Sequence, residues 1–395
     1  MRTGRVAVHA AVLALGLVLV MALSAHAHEG AHGDPELLGD WRAQVHLLFQ
    51  WAHLVAFGLW VGGMVAATRL PTLSLEPLLF ASWALFLVFL GTGSYNMEFS
   101  AATLDAPDIV SLPGLSRRWE FGDAYIVLIG TKRALLVLAV LWTATVTVAH
   151  LRQPPEASRE RLRSPFLAGS IAVGLTLAAV VAMVLVLHEA VDLAPTPLHS
   201  LGGVVGPMGP DELAAAEAAT RAAPPPYGGD TRALLAGFRI FSIPRALGDA
   251  AVRFGHLIGF ALWLGGVAAS LVVRVCETRR VLPLLWMGLG IQAVTGAYQI
   301  VSWTPFTVVP YPWRLSAMAD FRFGYTYALL LAVKLGLALL AAAGTAALAI
   351  VSNRGMGHRR LPVRALGWVN LAIGLLLAYI AVAVLLVHEG VDHAL

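Results

Sequence analysis

Four histidines recur at matched places in an otherwise apolar chain. His53 opens the run His53-Leu-Val-Ala-Phe-Gly-Leu-Trp60-Val-Gly62-Gly63, and His256 opens His256-Leu-Ile-Gly-Phe-Ala-Leu-Trp263-Leu-Gly265-Gly266. His188 and His388 lie in Leu187-His188-Glu189-Ala-Val-Asp192 and Val387-His388-Glu389-Gly-Val-Asp392. Imidazole is the commonest metal ligand, and an ionisable group inside an apolar layer marks a ligand site, a pathway or a relay. The pattern therefore nominates His53, His188, His256 and His388 as metal ligands, although shared ancestry of two copies would also reproduce a purely structural histidine. Asp192 and Asp392 follow their histidines by one helical turn, where a carboxylate orients an imidazole and sets its tautomer. Glu189 and Glu389 join the same outer polar group, and Glu389 and His393 repeat the one-turn spacing. Capping of a helix end at the water boundary is the alternative role for these acids.

Lys132 and Lys334 form a second matched pair, behind Phe121-Gly122-Asp-Ala-Tyr125 and Phe323-Gly324-Tyr-Thr-Tyr327. An ammonium in mid-membrane needs a partner or a wet cavity, so both lysines are read as lining a path or meeting an anionic cofactor group. Arg133 has no counterpart, because Leu335 stands in its place. Trp60 and Trp263 are expected to pack at the site. Near the start, His28 and His32 offer a Cu(II) site if cleavage leaves His28 as the terminal residue, since an amine and two ring nitrogens suit square-planar coordination. A simple His-bearing tail is the alternative. Met97, Met208 and Met318 supply soft thioethers on the same side. The one cysteine, Cys276, excludes an internal disulfide and any Cys-x-x-Cys site.

These residues are carried by a chain that is 58% hydrophobic and 13% charged, which predicts an all-α polytopic membrane protein surrounded by a lipid bilayer. Arg2 and Arg5, an apolar run and Ala25-His26-Ala27 predict a secretory signal peptide over 1–27, followed by a short tail over 28–44. An uncleaved anchor helix has the same apolar core. Apolar stretches of spanning length predict eight transmembrane helices: Val45–Ala67, Pro77–Tyr95, Asp123–His150, Pro165–His188, Ala250–Val273, Val281–Val301, Gly324–Val351 and Val363–His388. They fall into two tandem four-helix repeats, 45–194 and 249–395, joined by a linker over 195–248 that contains Pro224-Pro225-Pro226 and one expected short helix. With four spans per copy the repeats run parallel, related by an axis along the membrane normal.

Arginines crowd alternate connections: Arg152, Arg159, Arg161 and Arg163; Arg274, Arg279 and Arg280; Arg354, Arg359, Arg360 and Arg364. The positive-inside rule puts them in the cytoplasm, and the mature N-terminus, the linker and the C-terminus outside. All four histidines then occupy the outer leaflet. The net charge of +4 reflects this topology and not nucleic-acid binding.

The His-x6-Trp-x-Gly-Gly openings, with Gly296-Ala-Tyr298 and Gly324-Tyr-Thr-Tyr327-Ala-Leu-Leu-Leu-Ala-Val-Lys334, resemble the copper resistance protein D (CopD) family of bacterial inner-membrane proteins. The resemblance implies eight spans, copper handling or transport at the cytoplasmic membrane, and a periplasmic copper-binding partner. The Phe-Gly-x-x-Tyr approach to the lysine span departs from that family's Thr-x-Tyr-Gly. Paired imidazoles on the first and fourth spans of each repeat also suit b-type haem, which would make the protein redox machinery. A structural subunit without a ligand is a third reading, and it leaves the matched histidines and lysines unexplained. Neither a phosphate-binding loop nor an Asp-Lys-Thr-Gly site is found, so transport would be driven by a gradient or a partner. The chain is read as a carrier rather than an enzyme, with a haem-dependent oxidoreductase as the alternative.

Overall fold

The computed structural model describes residues 41–103, 122–152, 155–192, 238–242, 244–272, 275–302, 324–353 and 360–392. Every regular element among them is helical: α1 (Trp41–Thr68), α2 (Leu75–Thr103), α3 (Gly122–Arg152), α4 (Pro155–Asp192), a 3-10 turn (Arg239–Ser242), α5 (Pro244–Val272), α6 (Val275–Ser302), α7 (Gly324–Asn353) and α8 (Arg360–Asp392). Helices α1 to α8 are all long and apolar enough to cross a membrane. The shortest apolar span, 21 residues in α2, still covers about 30 Å at 1.5 Å per residue. The expected signal peptide, nearly all of the N-terminal tail with His28 and His32, most of the linker with its expected helix, and His393 lie outside the described residues.

Several helices start before the expected spans, most of all α4, α5 and α6: α4 runs from Pro155, with Pro165 inside it, α5 from Pro244, and α6 from Val275, with Pro283 inside it. Proline favours the first helical turn, which makes Pro165 look like a beginning. In the interior it forfeits one backbone hydrogen bond, and a long helix tolerates that loss.

At the centre α1 crosses α5, backbone against backbone. A Cβ on Gly62 would sit 1.7 Å from the Ala261 carbonyl oxygen, and one on Gly265 would sit 2.2 Å from the Gly62 carbonyl carbon. Only glycine allows this approach, the device by which membrane helices pack where burial of apolar surface gives no drive. Helices α4 and α8 flank the pair. Beyond the crossing, Leu47 of α1 packs with Tyr379, Ile380 and Ala383 of α8, while Ala246 and Ala250 of α5 pack with Val180, Val186 and Leu187 of α4. Helices α3 and α7 lie outside: 17% and 22% of their apolar spans are buried, against 56% of α5. Leu138 and Leu141 on α3 and Leu339 and Leu340 on α7 are correspondingly exposed, as lipid-facing positions require.

One end of the bundle is tied by polar side chains. Arg163 donates to the carbonyls of Ala67, Leu70 and Leu73 at 2.6, 2.9 and 3.0 Å, adding to the turn in which Leu70 and Leu73 N–H already bond the Ala67 and Leu70 carbonyls at the end of α1. Arg279 donates to the carbonyls of Ser352 and Asn353 at the end of α7. Thr72 donates to Glu277 at 2.6 Å, joining the α1–α2 turn to α6. Two arginines of the basic connections are thus helix caps, whatever their topological role.

Gly62→Leu is expected to destabilise the detergent-purified protein by about 3 kcal/mol or more, because backbone cannot yield as a side chain does. Gly63→Ala, where a Cβ meets nothing within 4 Å, is expected to melt with the unaltered chain. Thermal unfolding of the two variants side by side checks the contrast.

Candidate functional site

His53 and His256 hold the same posture. His53 Nδ1 lies 2.9 Å from Thr92 Oγ1 on α2, and His256 Nδ1 lies 2.9 Å from Thr295 Oγ1 on α6. Each threonine hydroxyl already donates its single proton to a carbonyl one turn back, Val88 or Ile291, at 2.6 Å. It therefore accepts from the imidazole, which fixes the proton on Nδ1 and leaves the Nε2 lone pair uncommitted. No hydrogen bond among the described residues takes either Nε2. A neutral imidazole held by its other nitrogen is the ordinary preparation for metal or haem ligation. Gly93 and Gly296 follow the threonines, and a Cβ there would touch the Cε1 edge of the ring at 3.7 and 3.6 Å. Glycine leaves that edge, which leads to Nε2, uncovered.

The lysines belong to the same places. Lys132 of α3 lies within electrostatic range of His53, and Lys334 of α7 within range of His256. No carboxylate among the described residues forms an ion pair with either ammonium. The side chains of His188, Glu189, Asp192, His388, Glu389 and Asp392 lie outside the described residues, as does the backbone of His28 and His32. Among the described residues no group of three metal-ligating side chains forms, and no hydrogen bond or ring contact joins His53 to His256. Each imidazole turns toward its own second helix, so the described parts make two separate sites.

Trp60 stands one layer below His53. Its ring meets Phe86 and Phe89 edge-on at 5.2 and 6.4 Å, and Phe89 in turn meets His53 at 5.0 Å. Trp263 is buried between helices and donates to Thr345 Oγ1 on α7 at 3.1 Å. The matching atoms of the first half, Trp60 Nε1 and Thr143 Oγ1, are buried and have no partner among the described residues. Trp60 is thus one ring removed from His53, behind Phe89, and Trp263 is tied to α7 through Thr345.

Thr92 and Thr295 were not among the expected residues. The signal for them is Thr92-Gly93-Ser94-Tyr95 matched by Thr295-Gly296-Ala297-Tyr298, a short motif of unremarkable residue types. Two polar pairs one and two turns from the histidines also escape a search for metal ligands. His46 and Gln50 meet at 2.6 Å on α1, and Asp249 and Arg253 meet at 2.7 Å on α5.

Removing the Trp263 partner by Thr345→Val is expected to cost about 1 kcal/mol. Thr143→Val, which buries a methyl in place of an unpaired hydroxyl, is expected to be neutral or stabilising. Equal losses in thermal unfolding would refute the difference between the halves. Compared with known protein families, curated proteins and solved structures, the chain matches none.

Proposed function

We propose that this chain is a bacterial inner-membrane copper-binding and copper-transport protein, akin to the copper resistance protein D family, built from two parallel four-helix repeats. The observation that carries the reading is the matched pair of neutral imidazoles, each held through Nδ1 by a threonine with Nε2 open. A lone pair presented in duplicate inside an apolar layer suits a soft or borderline cation such as copper. His188 and His388 complete the ligand sets in this reading, oriented by Asp192 and Asp392, with Glu189 and Glu389 alongside. His28 and His32 collect copper at the mature N-terminus, behind a cleaved signal peptide. The histidines face the periplasm and the arginine-rich connections face the cytoplasm. Lys132 and Lys334 keep the ion loosely held, since a neighbouring ammonium repels a cation, and a path must bind weakly enough to release. A periplasmic copper-binding protein would deliver or receive the ion.

The lysines also favour a second reading. An ammonium in an apolar layer with no carboxylate partner among the described residues suits an anionic group, such as a haem propionate. Two haem b groups would then be held by His53 with His188 and by His256 with His388, with Nδ1–H bonds raising ligand basicity. Haem would supply one-electron chemistry when bound, and the chain's own part would be to orient the imidazoles and neutralise the carboxylates.

Visible spectra of the detergent-purified protein, oxidised and dithionite-reduced, with metal analysis on the same sample, separate the two. The copper reading expects no Soret band and retention or uptake of copper. A sharp Soret band with reduced α and β bands would replace it with the haem reading. The double variant His53→Ala/His256→Ala is expected to bind copper at least tenfold more weakly, and unchanged affinity and stoichiometry would remove both residues from the site.

A further inference from the structure

Arg133 is a charged residue of the first half that the matched set leaves over. It follows Lys132, whereas Leu335 follows Lys334. The position faces lipid: Leu335 is 47% exposed, and on α3 Val137, one turn after Arg133, is exposed as well. Gly130, three residues before Arg133, has open space where a Cβ would stand. A guanidinium keeps its charge at every accessible pH and is costly among acyl chains. Yet none of its donors meets an acceptor among the described residues, and Nε is enclosed without a partner. Its neighbour Lys132 is a second cation, on which it acts electrostatically, and no carboxylate among the described residues pairs with either.

Depth and direction decide what such a charge meets. Arg133 lies about 13 Å from the start of the apolar span Ala124–Arg152 and about 28 Å from its end, at 1.5 Å per residue. The near end is on the side of the histidines. Side chains on a helix lean toward its N-terminus, so Arg133 leans toward that near interface, with its apolar stem along the helix and its head rising. Gly130 lies on this line and leaves room there. The acceptor at the interface is the phosphate of a phospholipid, whose oxygens match the planar guanidinium fork. Lys132 adds positive charge behind it, which favours a headgroup of net negative charge over a zwitterionic one that brings its own cation. On α7 the equivalent Leu335 offers acyl chains an apolar contact and a phosphate nothing.

We propose that Arg133, with Lys132 behind it, binds the phosphate of an anionic phospholipid in the leaflet on the histidine side, at a site that the first half of the chain has and the second lacks. The site needs neither copper nor haem, so it stands or falls apart from the readings above. The test is native mass spectrometry of the detergent-purified full chain titrated with phosphatidylglycerol, and with phosphatidylcholine for comparison. Arg133→Leu, which copies the second half, is expected to weaken the tightest phosphatidylglycerol by at least about tenfold, as loss of a charge-assisted hydrogen bond implies, and to leave phosphatidylcholine unchanged. Leu335→Arg is expected to add one tight phosphatidylglycerol. Unchanged phosphatidylglycerol affinity in Arg133→Leu, an equal loss of both lipids, or a folded Leu335→Arg that gains none would overturn the proposal. Displacement of the lipid by millimolar inorganic phosphate would give the site to a free oxyanion, and a Soret band lost with Arg133→Leu would give the guanidinium to a haem carboxylate; either result overturns the lipid assignment. Should Leu335→Arg elute as aggregate, Arg133→Leu decides the matter, since it places an apolar residue on a lipid-facing surface.

Discussion

The contact of α1 with α5 at Gly62 and Gly265 sets the position of everything else in the bundle. In a lipid layer the hydrophobic effect does not press helices together, so association depends on how closely two backbones approach. Here a Cβ on either glycine would overlap the opposite main chain. Each glycine follows its histidine at the same interval, His53 to Gly62 and His256 to Gly265. One crossing therefore brings both imidazoles to a common height. It also hands the far half of α1 to α8 and the far half of α5 to α4, so each half of the chain supports the first helix of the other.

Several polar groups in the interior are tied to a neighbouring helix at small cost in backbone bonding, while others, Trp60 Nε1 and Thr143 Oγ1 among them, have no partner among the described residues. His53 and His256 lean on threonines whose hydroxyls stay bonded to their own helix. Trp51 donates to the Leu375 carbonyl at 2.8 Å, and Tyr379 donates to Gln44 at 2.6 Å, both joining α1 to α8. At the other end, Arg163 and Arg279 donate to backbone carbonyls at and just beyond the ends of α1 and α7. An unsatisfied polar group is expensive in hydrocarbon, and these bonds fix rotamers as well as remove that cost. The histidine tautomer is a consequence of this economy: a threonine that has given its proton to the helix can only accept.

The halves share their histidines, threonines and lysines, and differ in what surrounds them. Trp263 reaches Thr345 while Trp60 and Thr143 stay apart. Phe89 answers to Gln292, His46 to Asp249 and Gln50 to Arg253. Such substitutions leave the framework intact, because they lie on faces that do not enter the α1–α5 crossing. Their effect is on charge and polarity beside the imidazoles, where a ligand would be selected.

Much of this was legible in the order of residues. Eight apolar stretches and the matched His, Trp, Gly and Lys positions can be read from composition and spacing, since bilayer thickness constrains span length and polar residues stand out in an apolar background. The start of α4 at Pro155 was less legible, because the interior Pro165 looks the same in sequence as an initial proline. Only the tertiary structure decided which nitrogen of each histidine is free, through a threonine 39 positions away on the next helix. It also assigned Arg163 and Arg279 to helix ends, and turned His53 and His256 toward different helices. Chain order determines which residues share a helix face, whereas the partner of that face depends on how the helices cross, and two glycines pressed together settled that.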